Sequence, residues 1–190
     1  MTGVGHVGLV LLAAGRSRRF GPQDKLAQDW RGKPLARHAA DTLAALPFAA
    51  HIAVVGEDSR LQLPEQFETV TNPDPALGLS HSIALGVEAL LPRHLDACLI
   101  ALADMPLVPE AHFLALLDGV ARSDGDIVAT ANGDRAQVPA VFGKEHFAAL
   151  IALTGDQGAR ELLRTARTIP CDAELLADFD RPEDFARNAD

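Results

Sequence analysis

The chain has 190 residues, of which 48% are hydrophobic and 23% are charged, and its formal net charge is −9 at pH 7. This balance predicts one globular domain over residues 1–190. An acidic protein with a pI of about 5.2 is not expected to bind nucleic acid, because that needs a broad basic face, but a local basic patch still suffices for a small anionic ligand.

The first predicted element is a strand over Val7–Ala13. Its side chains are apolar, as in strands that are buried on both faces of a sheet. The positive charge that a signal peptide carries before its apolar run comes after this one, and the run is too short to cross a bilayer. It therefore predicts a buried strand, and we expect no membrane partner.

A loop rich in positive charge follows this strand. Ala13 and Ala14 are small, and Gly15 can adopt a positive φ, which would turn backbone N–H groups toward a phosphate. Four cationic side chains come next: Arg16, Arg18, Arg19 and Lys25. Because α/β sheets bind ligands beyond the carboxyl ends of their strands, the loop predicts a phosphate site, with a solvated basic loop as the alternative.

The rest of the chain alternates between short strands and helices. Strands are predicted over 51–56, 68–72, 97–103, 126–131 and 138–143. Apolar residues at helical spacing predict helices that begin near residues 35, 79 and 109, and two more over 144–152 and 156–166. This alternation is typical of an α/β fold with a single doubly wound, mostly parallel sheet of the Rossmann type.

Two acidic positions are candidates for a metal ion. Asp104 lies at the tip of an apolar strand that Pro106 ends, although an aspartate there also suits a turn or a helix cap. Mg²⁺ usually takes one or two protein carboxylates together with substrate phosphates. Asp178 and Asp180 would share one face of a strand, and Asp180 would equally suit the N-cap of a helix that starts at Pro182.

Polar residues also gather where the second of these helices is predicted to start. Asn72 ends a predicted strand, and Gly78, Ser80 and Ser82 come near the helix start. Hydroxyl groups and N–H groups at a helix N-terminus suit a phosphate or the edge of a base.

Several segments resemble the MobA-like nucleotidyltransferases. The stretch "LAAGRSRRFGPQDKL" is similar to the family signature LxAGxSxRMGxxK, and only Phe20 replaces the usual Met. The fixed positions are occupied by Gly15, Ser17, Arg19, Gly21 and Lys25. Asp104 stands at the strand end where the family carries an aspartate, and "DFDRPEDF" is similar to its DIDTPED-type segment. The resemblance implies the fold of the nucleotide-diphospho-sugar transferases.

Two further segments resemble the branch that makes the cytidylyl form of the molybdenum cofactor, and the start of the basic stretch bears on the choice of base. "GLSHSIALGV" is similar to its GMSSSLRAGL segment, although His81 replaces a serine and Ala84 stands where arginine is frequent. "GDQGAR" matches its GDxGAR segment, which carries Asp156 and Arg160. "LAAG" differs from the LAGG of the guanylyl branch, and the methyl group of Ala14 would narrow the base pocket and favour CTP.

The resemblance implies a Mg²⁺-dependent transfer of CMP from CTP, or of another nucleotide, to a molybdopterin-type phosphate, with a molybdoenzyme as a candidate partner. The implied catalytic residues are Arg19, Lys25 and Asp104, and the implied metal ligands are Asp104 and Asp180. The implied nucleotide-binding residues are Leu12, Ala13, Ala14, Gly15, Arg16, Ser17, Arg19, Lys25, Asn72, Gly78, Ser80 and Asp104. Ser82, Asp156 and Arg160 are assigned to the second substrate. A sugar or polyol phosphate as acceptor, and a non-catalytic nucleotide-binding partner of a molybdoenzyme, are the alternatives.

The remaining reactive side chains form no catalytic pattern. The seven histidines make no recognisable set, and we expect most of them at the surface. Cys98 and Cys171 occur in no CxxC or other metal-binding spacing. We therefore expect two reduced thiols in a cytoplasmic protein.

Overall fold

The computed structural model describes residues 6–15, 20, 24–122, 126–155 and 158–188. The strands are β1 (Val7–Ala13), β2 (Asp29–Trp30), β3 (Lys33–Pro34), β4 (Ala50–Gly56), β5 (Phe67–Asn72), β6 (Ala97–Leu102), β7 (Val128–Asn132), β8 (Arg135–Gly143) and β9 (Arg167–Pro170). The helices are α1 (Leu35–Ala44), α2 (Leu79–Leu90), α3 (Glu110–Ala121), α4 (Phe147–Ile151), α5 (Arg160–Leu163) and α6 (Pro182–Arg187).

Seven of these strands form one sheet in the order β5-β4-β1-β6-β8-β7-β9, and β2 pairs with β3 in a small hairpin. Neighbouring strands from β5 to β6 are parallel, as are β7 and β9. Strand β8 runs antiparallel to both of its neighbours, β6 and β7. The prediction of an α/β fold with a mostly parallel sheet is therefore confirmed.

Helices cover both faces of the sheet because the central strands are apolar on both sides. In β1, Leu9 and Leu11 belong to the core that α1 and α3 cover, and Val10 and Leu12 belong to the core under α2 and α4. This is the doubly wound arrangement, since successive residues of a strand point to opposite faces. No helix in the described part of the chain is long and apolar enough to cross a membrane.

The structure differs from the sequence prediction near the second half of the sheet. Strand β8 begins at Arg135 rather than at residue 138, because a tight turn at Gly133, with φ of 58°, joins it to β7. Strand β9 was not predicted, since its four residues are half-buried or exposed and carry no apolar pattern. The helix predicted over 156–166 is reduced to α5, and residues 156–157 lie outside the described part.

Two of the seven histidines, His51 and His112, are buried. His51 lies at the start of β4 beside two phenylalanine rings. The Nε2 of His112 in α3 is 2.8 Å from Thr130 Oγ1, which donates to the carbonyl of Pro139 at 2.7 Å. Because that hydroxyl has one proton, His112 is the donor to Thr130. Burial lowers the pKa of both histidines below the usual 6.5.

We expect His112 to make the fold less stable in mild acid. The unfolded chain binds a proton at the usual pKa, whereas the folded histidine resists it, so stability present above pH 6.5 is lost as the pH falls through that value. His112→Gln keeps an N–H donor for Thr130 without titrating. Urea unfolding at pH 7.5 and 5.5 should show a smaller loss of stability in the variant, and equal losses would contradict this role.

Candidate active site

A crevice of about 350 Å³ opens at the carboxyl ends of β1 and β6. Strands β4 and β5 extend the sheet on one side of β1, and β6 extends it on the other. The crevice therefore lies at the topological switch point, where open α/β sheets bind their ligands. Leu12 and Ala14 form its wall on the β1 side, and Leu102 and Asp104 form its wall on the β6 side.

The backbone after β1 faces this crevice at Gly15. A Cβ atom built on Gly15 would meet no atom of the described residues within 4 Å, so the glycine borders open space in that part of the chain. Its φ is not positive, contrary to the expectation that Gly15 adopts the left-handed region. The absence of a side chain at this position therefore leaves room for a ligand close to the backbone rather than allowing a special turn.

The opposite wall is the N-terminus of α2. Gly78, Leu79 and Ser82 line the crevice there. Gly78 has φ of 91° and ψ of −179°, a conformation that is nearly restricted to glycine, and it carries no side chain to cap the helix. The helix thus starts at the crevice wall without a side-chain cap at Gly78, although the N–H of Ser80 in its first turn donates to the Gly155 carbonyl at 3.3 Å.

Asn72 and Ser80 do not line the crevice but lie behind its wall. Asn72 is fully buried, and its Nδ2 donates to Ser82 Oγ at 2.9 Å while its Oδ1 accepts from the N–H of Asp74. It therefore fixes the end of β5 against the first turn of α2. Ser80 is also fully buried, and its Oγ has no hydrogen-bond partner among the described residues.

Lys25 joins the two candidate metal ligands at the mouth of the crevice. Its Nζ lies 2.7 Å from Asp104 Oδ2 and 2.6 Å from Asp180 Oδ1. The lysine side chain is only 8% exposed, whereas the carboxylates are 20% and 41% exposed. Burial lowers the pKa of Lys25, but the two carboxylates outweigh it and hold that pKa above its usual value. The ammonium group is therefore charged at neutral pH.

Backbone contacts place each member of this triad. Asp24 caps the 3₁₀ turn Lys25–Ala27 by accepting from the N–H of Leu26 at 3.0 Å. The N–H of Phe179 donates to the Asp104 carbonyl at 3.1 Å, which aligns the C-terminal segment with the loop after β6. The Asp184 carboxylate accepts from the N–H of Asp180 at 3.0 Å, so the backbone of Asp180 is fixed as well.

The C-terminal segment is neither a strand at Asp178 and Asp180 nor a helix capped by Asp180. Residues 177–180 have no regular secondary structure, and the N-cap of α6 is Arg181. Asp180 instead directs its carboxylate to Lys25. Asp178 is exposed and is not among the residues that line the crevice. The pKa of Asp178 is raised to about 6. Partial loss of hydration is the largest cause, and the negative charges of Asp104 and Asp180 add to it, although solvent screens them in part.

Aromatic rings support the segment that carries Asp180. The ring of Phe179 lies 5.0 Å from Trp30 and 5.3 Å from Phe185, and Phe20 lies 5.3 Å from Phe185 on its other side. The indole N–H of Trp30 donates to the carbonyl of Asn188 at 3.1 Å. These four rings, here called the aromatic hub, join the end of the basic loop to the C-terminal segment. The sequence pattern did not reveal them, because they are distant along the chain.

A second groove of about 850 Å³ adjoins the crevice. Both cavities are lined by Leu12 and Leu79, so they share a wall. The groove also contains three arginines, namely Arg135, Arg160 and Arg164. Sequence reasoning identified Arg160 alone, because Arg135 lies in a hairpin and Arg164 follows a short helix that were not predicted with these bounds. Asp134 and Glu161 line the same groove, and Glu161 pairs with Arg164 at 3.2 Å. The positive charge that could attract an anionic molecule next to a ligand in the crevice therefore comes mainly from Arg135 and Arg160.

Several predicted site residues lie outside the described part of the chain. They are Arg16, Ser17 and Arg19 of the basic loop, together with its Arg18 and Gly21, and Asp156. Of the remaining predicted residues, Leu12, Ala14, Gly15, Lys25, Gly78, Ser82, Asp104 and Asp180 line the crevice. Ala13 is buried in the core beneath α1 and α3, and Arg160 lines the second groove.

Comparison with known proteins identifies the family. The model of the MobA-like NTP transferase domain matches residues 9–171. The chain belongs to this family. It is therefore a nucleotidyltransferase, and a nucleoside triphosphate is the type of substrate that the family implies. The match ends before Asp180, so the C-terminal segment that completes the triad lies beyond it.

Curated relatives and solved structures agree with this assignment. The chain is 28% identical over 194 residues to the purine catabolism protein PucB of Bacillus subtilis, covering 93% of this chain and 92% of PucB. It is 26% identical over 157 residues to a molybdenum cofactor guanylyltransferase of Shewanella frigidimarina, covering 83% and 79%. The structure of Rv0371C from Mycobacterium tuberculosis, a complex with manganese, has the same fold with a TM-score of 0.78, 20% identity and coverage of 97% and 98%.

These relatives support the MobA-like family but not the cytidylyltransferase branch in particular. The two curated proteins bear the names of a purine catabolism protein and a guanylyltransferase. The assignment to the cytidylyl branch rests on short segments of sequence. It is more specific than the similarity to these relatives shows.

Gly15→Val tests whether the crevice binds the nucleotide. The new side chain would occupy open space, so we expect the free energy of unfolding to change by less than about 0.5 kcal/mol. Nucleotide affinity should fall by roughly tenfold or more, about 1.4 kcal/mol, because the side chain takes the room next to the backbone. Thermal unfolding and isothermal titration measure the two effects.

Gly56→Val is the matched control for this variant. Gly56 ends β4 at the same edge of the sheet and also borders open space, but it does not line the crevice. Unchanged nucleotide affinity in Gly15→Val, or an equal loss in Gly56→Val, would place the nucleotide elsewhere.

Proposed function

We propose that this nucleotidyltransferase transfers CMP from CTP to the phosphate of a molybdopterin-type cofactor and releases pyrophosphate. The observation that carries the proposal is the meeting of Lys25, Asp104 and Asp180 at the mouth of a crevice whose walls are the backbone at Gly15 and the N-terminus of α2. A triphosphate and its counter-ion require positive charge, carboxylates and a helix N-terminus, and this site combines all three.

The nucleotide is held by the two walls of the crevice. N–H groups at Ala14 and Gly15 and the positive end of the α2 dipole bind phosphate oxygens. Lys25, with Arg19 of the basic loop, offsets the charge that develops on the pyrophosphate. Such fixed charges usually supply the largest part of catalysis in phosphoryl and nucleotidyl transfer.

Asp104 and Asp180 are the residues that would hold the Mg²⁺. The two carboxylates already enclose a cation, the ammonium group of Lys25, at hydrogen-bonding distance. No group of three or more potential metal ligands occurs in the described part of the chain, and Mg²⁺ usually takes one or two carboxylates and completes its shell with phosphate and water oxygens. When bound, Mg²⁺ neutralises and orients the triphosphate. The manganese complex of Rv0371C, which shares the fold, supports a divalent ion.

The second groove is the proposed site of the acceptor. It shares Leu12 and Leu79 with the crevice, so an acceptor in the groove would lie next to a nucleotide in the crevice. Arg160 and Arg135 would orient the acceptor phosphate, whereas Arg164 pairs with Glu161 in the same groove. One of its oxygens then attacks the α-phosphorus, and the bond to the leaving pyrophosphate breaks. Relatives named as molybdenum cofactor guanylyltransferases support a cofactor of this type, and a molybdoenzyme is the proposed recipient of the product.

GTP is the second candidate for the nucleotide, because curated relatives are named as guanylyltransferases. We favour CTP because Ala14 lies on the crevice wall, where its methyl group narrows the space for the larger purine base. Lys25 and Asp104 argue against a non-catalytic nucleotide-binding partner, which has no need for a charged triad.

A pyrophosphate-release assay tests the proposed reaction. Each of the four nucleoside triphosphates is supplied with Mg²⁺ and with molybdopterin, a sugar phosphate, a polyol phosphate or no acceptor. We expect release with CTP and molybdopterin. Release with a sugar or polyol phosphate would redirect the assignment, and tight CTP binding without release from any acceptor would identify a nucleotide-binding partner.

Asp104→Asn and Lys25→Ala should each lower the rate by about a hundredfold or more, since each removes a charge fixed next to the triphosphate. The matched controls are Asp41→Asn and Lys33→Ala, which break an equally short ion pair of 2.6 Å away from the crevice. Circular dichroism checks that the variants are folded. Rates like those of the wild type in both triad variants would refute the assigned roles.

Ala14→Gly tests the choice of base. Removing one methyl group from the pocket should raise the ratio of kcat/KM for GTP to that for CTP by roughly tenfold, the usual scale for one methyl group in a binding pocket. Steady-state kinetics with each nucleotide measure the ratio. An unchanged ratio would show that Ala14 does not select the base.

A further inference from the structure

The cation between Asp104 and Asp180 is part of the protein itself. Lys25 Nζ lies 2.7 Å and 2.6 Å from one oxygen of each carboxylate, the two groups assigned to the metal. We propose that Lys25 is an internal counter-cation that a divalent ion must displace before Asp104 and Asp180 can bind it. This inference rests on the proposed function of the site, because it concerns the ion that the reaction needs.

Electrostatics favour displacement over joint occupancy. A divalent ion bound to both carboxylates would lie within a few ångströms of the ammonium group, and like charges that close together in a partly buried site repel strongly. Without any cation, the two carboxylates would repel each other in the same way. Lys25 therefore stabilises the metal-free site, and it does so by occupying the place of the metal.

The crevice provides space for the ammonium group of Lys25 when the ion displaces it. Its side chain also lines the crevice, where the triphosphate is expected to lie. A flexible four-carbon stem allows the ammonium group to move there by rotation about side-chain bonds. When the metal binds, the ammonium group would move toward the phosphates. The metal would therefore raise the affinity for nucleotide, and nucleotide would raise the affinity for the metal by the same factor.

The test is a titration with Mn²⁺ alone, followed by electron paramagnetic resonance, on the full chain without nucleotide or acceptor. Lys25→Met should bind Mn²⁺ about tenfold or more tightly than the wild type, since the ion no longer displaces charge-assisted hydrogen bonds. Lys33→Met is the matched control, because Lys33 pairs with Asp41 at 2.6 Å outside the crevice, and its affinity should equal that of the wild type. Equal or weaker binding by Lys25→Met, or no binding by either protein, would overturn the proposal.

A second measurement uses the wild type, so that it stands even if Lys25→Met fails to fold. Brief acylation with an N-hydroxysuccinimide ester, read by mass spectrometry, compares Lys25 with Lys33 and Lys144. Mn²⁺ should raise the share of label at Lys25 several-fold, because the displaced amine becomes accessible. An unchanged share would show that the ion does not displace Lys25. Neither measurement involves nucleotide transfer, so failure of the CTP assay alone would leave this inference intact.

Discussion

One ammonium group between two carboxylates determines how the site is arranged. Lys25, Asp104 and Asp180 come from a turn after β1, a loop after β6 and the C-terminal segment. A nearly buried ammonium group without a partner would cost several kcal/mol, and two unneutralised carboxylates would repel each other. The two ion pairs of Lys25 therefore stabilise the arrangement of the three segments. The charged groups that join these segments are also the groups that would bind a triphosphate and a divalent ion.

Apolar packing holds the charged groups in place. The aromatic hub joins Trp30, next to the basic loop, to Phe179, which adjoins Asp180. The N–H of Phe179 bonds to the carbonyl of Asp104, so the same residue belongs to the hub and aligns the segments that carry Asp104 and Asp180. Asp180 is thus presented by a segment without regular structure that is nevertheless fixed on two sides. If an ion binds here, this segment would lose less conformational entropy than a flexible loop would.

Sequence patterns predicted the parts of the fold and site that are local. The buried parallel strands are continuous apolar runs. Gly15 and Asp104 come just after two of them, and Lys25 ends the loop after β1, so the strand ends and the crevice were both predictable. The pairing of Lys25 with Asp180 depends on residues 155 positions apart, and periodicity carries no information on it. Strand β9 was missed because its pairing with β7, rather than its composition, makes it a strand. The open space at Gly15 likewise depends on the residues that surround it in the fold. The sequence shows only a glycine, which suggested a turn.

Trp30 gives the site an optical reporter of its own. The chain has one tryptophan and no tyrosine, so light absorbed near 295 nm excites a single indole. That indole is in contact with Phe179, one residue from Asp180, and bonds to the carbonyl of Asn188. Any shift of the C-terminal segment would change the polarity around the ring and therefore its emission. Events at the mouth of the crevice are thus open to stopped-flow fluorescence in the unlabelled protein.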